Sequence, residues 1–274
     1  MTTYTTTNTT TSTFQVSTAR TLLRTIGSEL IKLTSLRSQV WLLIVAATLV
    51  AVLGPIQTLG QVMAGPRGEA ETSAAAVSLA LTGMATSTLL VGVLGVLVVT
   101  GEYAPRTIRT TFALVPRRNR VVVAKAVALA LVTALVGLVS VTIAVAASLT
   151  IRSSGGDPVD WASPDVIRVS TLMVWYFVGW AVLGLAAGWV TRSKLGGAAL
   201  LLGVMLVLTP LLGLIPGRVG ELLATLTPSS AGGAMISPDH SGALTSPGVG
   251  FVLWTTYLVL FTALSSWIAT RRDA

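Results

Sequence analysis

The sequence predicts an all-α polytopic membrane protein with six transmembrane helices. Six apolar stretches are each near or above the about 20 residues that a helix needs to cross the hydrocarbon core of a bilayer. Lys125 is the only ionisable residue within them, and it lies close to one end. The composition, with 53% hydrophobic and 10% charged residues, is not that of a soluble domain of 274 residues. The predicted spans are residues 40–59, 79–99, 121–149, 169–191, 195–215 and 249–269.

Composition also excludes several classes of function. The absence of cysteine rules out disulfides, iron–sulfur clusters and thiolate metal sites, and a single histidine, His240, disfavours a histidine-based metal site. The net charge of +8 does not indicate nucleic-acid binding, because the basic residues cluster next to span ends. A carrier driven by protons or sodium normally keeps Asp, Glu or His within its spans, and these spans contain none. We therefore expect the driving energy to come from outside the spans.

The distribution of charge predicts that both termini are cytoplasmic. With that orientation, 14 of the 18 basic residues lie in cytoplasmic segments, and only Arg67, Arg152, Arg168 and Arg218 lie outside. Seven of the ten acidic residues lie on the outer side. Since cytoplasmic loops carry an excess of Lys and Arg, the sequence predicts a multi-pass protein of the cell inner (plasma) membrane.

The chain before the first span divides into two parts. Residues 1–20 are Thr-rich and almost free of large apolar groups, which predicts a disordered leader, and they lack the basic start and apolar core of a signal peptide. From residue 21 to 37, apolar residues recur at helical spacing, with Leu22, Ile26, Leu30 and Leu33 on one face. This pattern predicts an amphipathic elbow helix in the inner interface, at the start of a single transmembrane domain over residues 21–274.

The segment GEYAPRTIRTTFALVPRRNR, residues 101–120, lies between the second and third spans. Pro105 suits the first turn of a helix, Glu102 just ahead suits the positive end of the helix dipole, and Pro116 ends the pattern. We expect a short amphipathic helix in a cytoplasmic loop. Its basic run, which ends at Arg120, is also what anchoring to anionic lipid requires, so periodicity alone leaves that alternative open.

An elbow carrying SELIKLTSLRS, a long span and then GEYAPRTIRTTFALVPRRNRVVVAKA together resemble the permease subunits of the type-2 ABC exporter family, particularly its actinobacterial branch. The resemblance implies that the loop is a coupling helix that docks on a separate ATP-binding subunit, which holds ATP and Mg. It also implies a second permease chain, as a homodimer or a related heterodimer. The implied coupling residues are Glu102, Tyr103, Thr107, Arg109, Thr110, Pro116, Arg117 and Arg118, with elbow contacts from Glu29, Lys32 and Arg37.

No catalytic motif occurs in the sequence. The phosphate-binding pattern GxxxxGK(S/T) is absent, so we expect no enzyme activity from this chain and no cofactor on it. ATP hydrolysis would then belong to the partner. A secondary carrier or channel not powered by ATP is the alternative function, although we see neither internal symmetry nor polar groups at mid-span. A membrane enzyme or scaffold is disfavoured because catalytic groups are missing.

Smaller features complete the sequence-based predictions. Gly184 and Gly188 form a GxxxG pattern, for which helix packing within the chain or chance is favoured over a dimer contact. Residues 219–226 predict a short outer helix of the kind that the family places between its last two spans, and the polar SSAGGAMISPDHSG that follows does not support a second one. Trp41, Trp189 and Trp267 are predicted in the interfacial belt. Core packing is favoured over a substrate path for Trp175 and Trp180.

Overall fold

A computed structural model describes residues 18–65, 73–103, 118–155, 160, 162–237 and 246–271, and within these ranges all regular structure is helical. The predicted leader up to residue 17 and the loop residues 104–117 lie outside the described residues. The helices, in chain order, are α1 (Thr18–Ser35), α2 (Arg37–Met63), α3 (Ser73–Ala80), α4 (Thr82–Tyr103), α5 (Arg118–Ser154), α6 (Pro164–Thr191), α7 (Lys194–Leu202), a π-helix (Gly203–Val207), α8 (Leu208–Gly213), α9 (Arg218–Thr225), α10 (Pro228–Ile236) and α11 (Pro247–Arg271).

Six helical segments in the described part of the chain are long and apolar enough to cross a membrane, which confirms the predicted number of spans. Most of the helices run a few residues beyond the predicted apolar stretches, because a helix continues into the polar region on either side of the hydrocarbon. The fifth span instead ends at Gly213, two residues before its predicted end. The second span differs more. The predicted start at residue 79 falls in α3, and the chain turns at Leu81 before α4 begins.

The centre of the bundle is the contact between α4 and α6, the two most buried spans. The two helices are in close contact at glycines. A Cβ atom on Gly184 would lie 1.9 Å from the carbonyl oxygen of Gly92, and one on Gly95 would lie 2.0 Å from that of Ala181. Only glycine permits such an approach of two backbones. The GxxxG pattern of α6 therefore serves packing within the chain, as the sequence analysis favoured.

The α2 helix packs on both α4 and α5, and polar side chains link the pairs. Ser87 of α4 donates a hydrogen bond to the carbonyl oxygen of Ala46, at 2.8 Å. On the α5 side, Arg152 donates to the Gln61 side chain at 2.6 Å, and Arg152 is buried. Both bonds satisfy polar groups that would be costly in an apolar interior. The bond between Arg152 and Gln61 also fixes one end of α5 to α2.

The fifth span contains a π-helix. The amide of Leu208 donates to the carbonyl of Gly203, five residues earlier. Pro210 follows; it has no N–H, and its ring crowds the carbonyl four residues before it, so the regular helical ladder is interrupted here. The carbonyl of Met205 accepts a hydrogen bond from Ser229 of α10, at 2.9 Å. A helix outside the span therefore satisfies part of the irregular backbone.

Two short helices, α9 and α10, connect the fifth and sixth spans. The first confirms the predicted helical piece at 219–226 to within one residue at each end. The second was not expected from its polar sequence. Thr227 caps it by accepting a hydrogen bond from the amide of Ser230, Pro228 occupies its first turn, and it packs on α11, where a Cβ on Gly250 would lie 2.5 Å from the Met235 amide nitrogen. Capping and packing form this helix where apolar periodicity is weak.

Candidate functional site

The segment expected to couple the chain to a partner emerges between α4 and α5. Glu102 and Tyr103 are the last two residues of α4, so Glu102 lies at the negative end of the dipole of that helix. The helix predicted after Pro105 lies outside the described residues. Arg118 is the first residue of α5, and its side chain is not described. The remaining predicted coupling residues lie outside the described part of the chain: Thr107, Arg109, Thr110, Pro116 and Arg117.

Four charged side chains form a closed ring at the base of this segment, and we call them the charge ring: Glu29, Lys32, Glu102 and Lys125. Lys125 Nζ lies 2.5 Å from Glu29 Oε2 and 3.0 Å from Glu102 Oε1. Lys32 Nζ lies 2.7 Å from Glu29 Oε1 and 3.1 Å from Glu102 Oε1. Each lysine therefore contacts both glutamates, and opposite charges alternate around the ring. The ring joins α1, the end of α4 and the first part of α5.

Burial divides the ring into an inner and an outer half. The side chains of Glu29 and Lys125 are each 2% exposed, those of Glu102 and Lys32 15% and 43%. Taking a charge out of water is unfavourable unless it is paired, so the inner pair depends on its partners. Removing one member of a buried ion pair typically costs about 3–5 kcal/mol, because the other charge remains buried without compensation.

The two ring residues on α1 have shifted pKa values. Burial alone would raise the pKa of Glu29, but the charge of Lys125 and hydrogen bonds from Lys125 and Lys32 outweigh it and hold the pKa below its usual value of 4.5. Burial alone would lower the pKa of Lys32, and the contacts with Glu29 and Glu102 instead raise it above 10.5. Both groups are therefore charged over the physiological range.

Tyr103, at the same end of α4, packs against α6. Its ring meets Trp189 of α6 edge to face, with centroids 6.2 Å apart, and the guanidinium of Arg192 lies 5.4 Å from the Tyr103 centroid. Arg192 ends α6 in the left-handed conformation, with φ of 52°. Trp189 is 1% exposed, so its predicted place in the interfacial belt is wrong, whereas Trp41 and Trp267 are exposed as that prediction requires.

The structure brings together four of the residues proposed from the sequence and separates one. Glu29 and Lys32 of the predicted elbow meet Glu102, and Tyr103 lies beside them at the end of α4. Arg37 begins α2, is exposed, and does not belong to the charge ring. Sequence reasoning missed Lys125 as a site residue. The available signal was that Lys125 is the one ionisable residue within the predicted spans, where charged groups are rare and paired.

A second feature is an apolar groove of about 860 Å³ between α5 and α6. Its walls include Leu131, Leu135 and Val174, with Trp175 near the junction with α11, where the indole Nε1 donates to Thr255 Oγ1 at 3.4 Å. Trp180, by contrast, is fully buried in an aromatic cluster with Tyr176 and Trp254, which agrees with core packing.

The fold defines an integral membrane protein of six spans, with α1 and both ends of one loop joined by buried charges. Residues 33–274 match the family described as ABC-2 family transporter protein, and the chain belongs to this family of ABC transporter permeases. The match includes all six spans, so the resemblance found in the sequence is confirmed at the level of the family. No curated protein matches the chain.

Proposed function

We propose that this chain is the membrane-spanning permease subunit of an ATP-driven exporter, and that it forms the translocation path and couples to a separate ATP-binding subunit through residues 101–120. Family membership supports the transport role. The observation that carries the coupling role is the position of the charge ring. Because Glu102 and Lys125 flank the loop and bind each other, a displacement of the loop acts on α4 and α5 together.

ATP as the energy source is supported by what the spans contain. Lys125 is the only Asp, Glu, His, Lys or Arg in the predicted apolar stretches, and it is paired within the ring. A proton or sodium path through titratable groups at mid-span has no support from this sequence. In this proposal ATP and Mg²⁺ are held by the partner, since the sequence contains no phosphate-binding loop of its own.

The orientation in this proposal follows from charge. The chain lies in the plasma membrane with both termini and the 101–120 loop in the cytoplasm, where 14 of the 18 basic residues then lie. A second permease chain, identical or related, completes the path. In support of it, only 11% of the apolar window in the fifth span and 22% of that in the sixth are buried within this chain, which leaves apolar surface for a neighbouring subunit or lipid.

The experiment that tests the proposal is co-purification. A tagged copy of this chain is expressed with an ABC ATP-binding subunit, which the proposal expects to be encoded beside its gene, and retention of that subunit and ATP hydrolysis are measured. We expect the subunit to be retained and ATP to be hydrolysed, and we expect hydrolysis to be lost when the phosphate-loop lysine of the partner is replaced. Absence of retention and of hydrolysis would overturn the ATP-driven assignment and favour the carrier or channel.

The role of the loop is tested with two arginine variants. Arg109→Ala removes a loop charge that is proposed to meet the partner, and Arg218→Ala removes an exposed charge at the start of α9, which the charge distribution places on the outer side. Losing a charge pair buried at an interface costs on the order of 2–5 kcal/mol, so Arg109→Ala should release most of the partner. Equal retention in both variants would leave the loop as a lipid anchor.

A further inference from the structure

We propose that Lys125 is a positioning residue: through the charge ring it holds the two ends of segment 104–117 to each other and to α1, so that α1, the end of α4 and the start of α5 move as one body. The effect of this three-helix unit on transport rests on the proposed function. Whether the three helices move together does not depend on that function, and it can be tested on the permease alone.

The first argument comes from which charges the ring uses. The chain has three lysines, and two of them are in the ring. Of the three acidic residues that the charge distribution places in the cytoplasm, two are in the ring and the third is Asp273. A surface that only bound lipid or solvent would not need its few carboxylates to be buried. Here Glu29 and Lys125 are almost fully buried and contact each other directly.

The second argument comes from connectivity. Lys125 and Glu102 are 23 residues apart in sequence, and Lys125 and Glu29 are 96 residues apart. Without Lys125, the remaining contact between the two glutamates within the ring would be Lys32, whose side chain is 43% exposed and is shared between them. Lys125 is therefore the only ring member that links α5 to the other two helices. Lysine suits this place because its compact ammonium has three donors and can serve two carboxylates at once.

The third argument separates the ring from the rest of the packing. Besides the ion pairs, α1 packs against α5, and Leu33 on the apolar face of α1 is 2% exposed within the hydrophobic core. Apolar contacts are non-directional and tolerate sliding, whereas four alternating ion pairs have one arrangement in which every contact is favourable. The apolar face of α1 holds the helix against the bundle, and the ring sets its position along α4 and α5.

The test uses two charge reversals that keep the net charge of the chain and a pair of lysine replacements that change it equally. In the first, Glu29→Lys with Lys32→Glu reverses both charges of α1: the pair within α1 survives, but its contacts with α4 and α5 all become repulsive. In the second, Glu102→Lys and Lys125→Glu are added, so that every charge of the ring is reversed and all four pairs are again favourable. Lys125→Met removes one charge and keeps most of the length of the unbranched side chain, and Lys194→Met, at the exposed start of α7, is its matched control.

The distance between α1 and α5 is measured by pulsed electron paramagnetic resonance on the full chain, with spin labels on Ser28→Cys and Val123→Cys. Both positions are exposed, and the chain has no native cysteine. We expect one narrow distance distribution in the parent protein, in Lys194→Met and in the fully reversed ring. We expect a wider distribution in Lys125→Met and in the variant with only α1 reversed.

Two results would overturn the proposal. One is a parent-like distribution when only α1 is reversed or when Lys125 is replaced by methionine. The other is a fully reversed ring whose distribution is as wide as that of the variant with only α1 reversed, since restoring the four pairs should restore the distance. In the complex with the ATP-binding subunit, ATP hydrolysis should be at the parent level in Lys194→Met and in the fully reversed ring. It should be reduced in Lys125→Met and in the variant with only α1 reversed. If no partner binds the parent protein, the proposed function fails, and the distances still decide the role of Lys125.

Discussion

Replacing Gly95 with alanine places a methyl group where α4 and α6 are in close contact. The new Cβ would lie 2.0 Å from the carbonyl oxygen of Ala181 and 2.7 Å from the amide nitrogen of Leu185. Ordinary van der Waals contact begins at 3.4 Å, so the first distance is short by 1.4 Å. Both opposing atoms belong to the backbone, and no change of side-chain rotamer can relieve the clash. The two helices have to separate.

The cost follows from what that separation disturbs. Inserting a methyl group into a well-packed core costs typically about 1–3 kcal/mol. Here the movement also opens the neighbouring contact between Gly92 and Gly184, so we expect the upper part of this range. For a protein of this size, each kcal/mol shifts the melting temperature by roughly 2–4 °C. Gly95→Ala should therefore melt about 4–12 °C below the parent protein.

The assay is thermal melting of the detergent-purified chain, followed by loss of the monodisperse peak in size-exclusion chromatography. The control is Gly60→Ala in α2, where an added Cβ meets no atom within 4 Å. Alanine is the better helix former, so this variant should melt at the parent temperature or slightly above it. If Gly95→Ala and Gly60→Ala melt together, the close crossing of α4 and α6 is not a feature of the protein.

Three further predictions concern topology, energy source and pH. Single cysteines at Ser12, Asn119 and Ser241 should react with an impermeant thiol reagent on intact cells only at Ser241, and labelling at Asn119 with protection at Ser241 would contradict the orientation. The purified chain alone should hydrolyse no ATP, and turnover that follows this polypeptide through every purification step would refute the division of labour. The contribution of Glu29 and Lys32 to α1 docking should be constant between pH 4.5 and 10.5. It should be lost in acid, as pH falls through the lowered pKa of Glu29, and in base, as pH rises through the raised pKa of Lys32, and labels on α1 and α5 would report each loss as a wider distance distribution.

The number of spans was predictable from the sequence because it depends on a local property. A run of about 20 apolar residues is long enough for the bilayer wherever it occurs in a chain, and hydrocarbon requires the backbone to satisfy its own hydrogen bonds as a helix. The amphipathic helix before the first span was predictable for a similar reason, since Ile26, Leu30 and Leu33 recur at helical spacing.

The sequence predicted less well the elements that depend on contacts with other helices. The α10 helix has a polar, glycine-containing sequence, and it depends on the Thr227 cap and on its contact with α11. The π-helix of the fifth span was not predicted either. Pro210 signals an interruption, but the hydrogen bond from Ser229 to Met205 depends on a helix 24 residues further along the chain.

The sequence by itself determined the class of this protein, because membrane insertion depends on the apolarity of each segment taken alone. It also identified Glu102 and Tyr103, at one end of the loop, as candidate site residues. Only the tertiary structure decided that Glu102 is paired within the chain, since its partners Lys125 and Lys32 lie 23 and 70 residues away. Charge pairing depends on distances of a few ångströms, and those distances are set by where three helices cross. For that physical reason, Lys125 is an isolated charge in the sequence and a buried, doubly paired member of the charge ring in the fold.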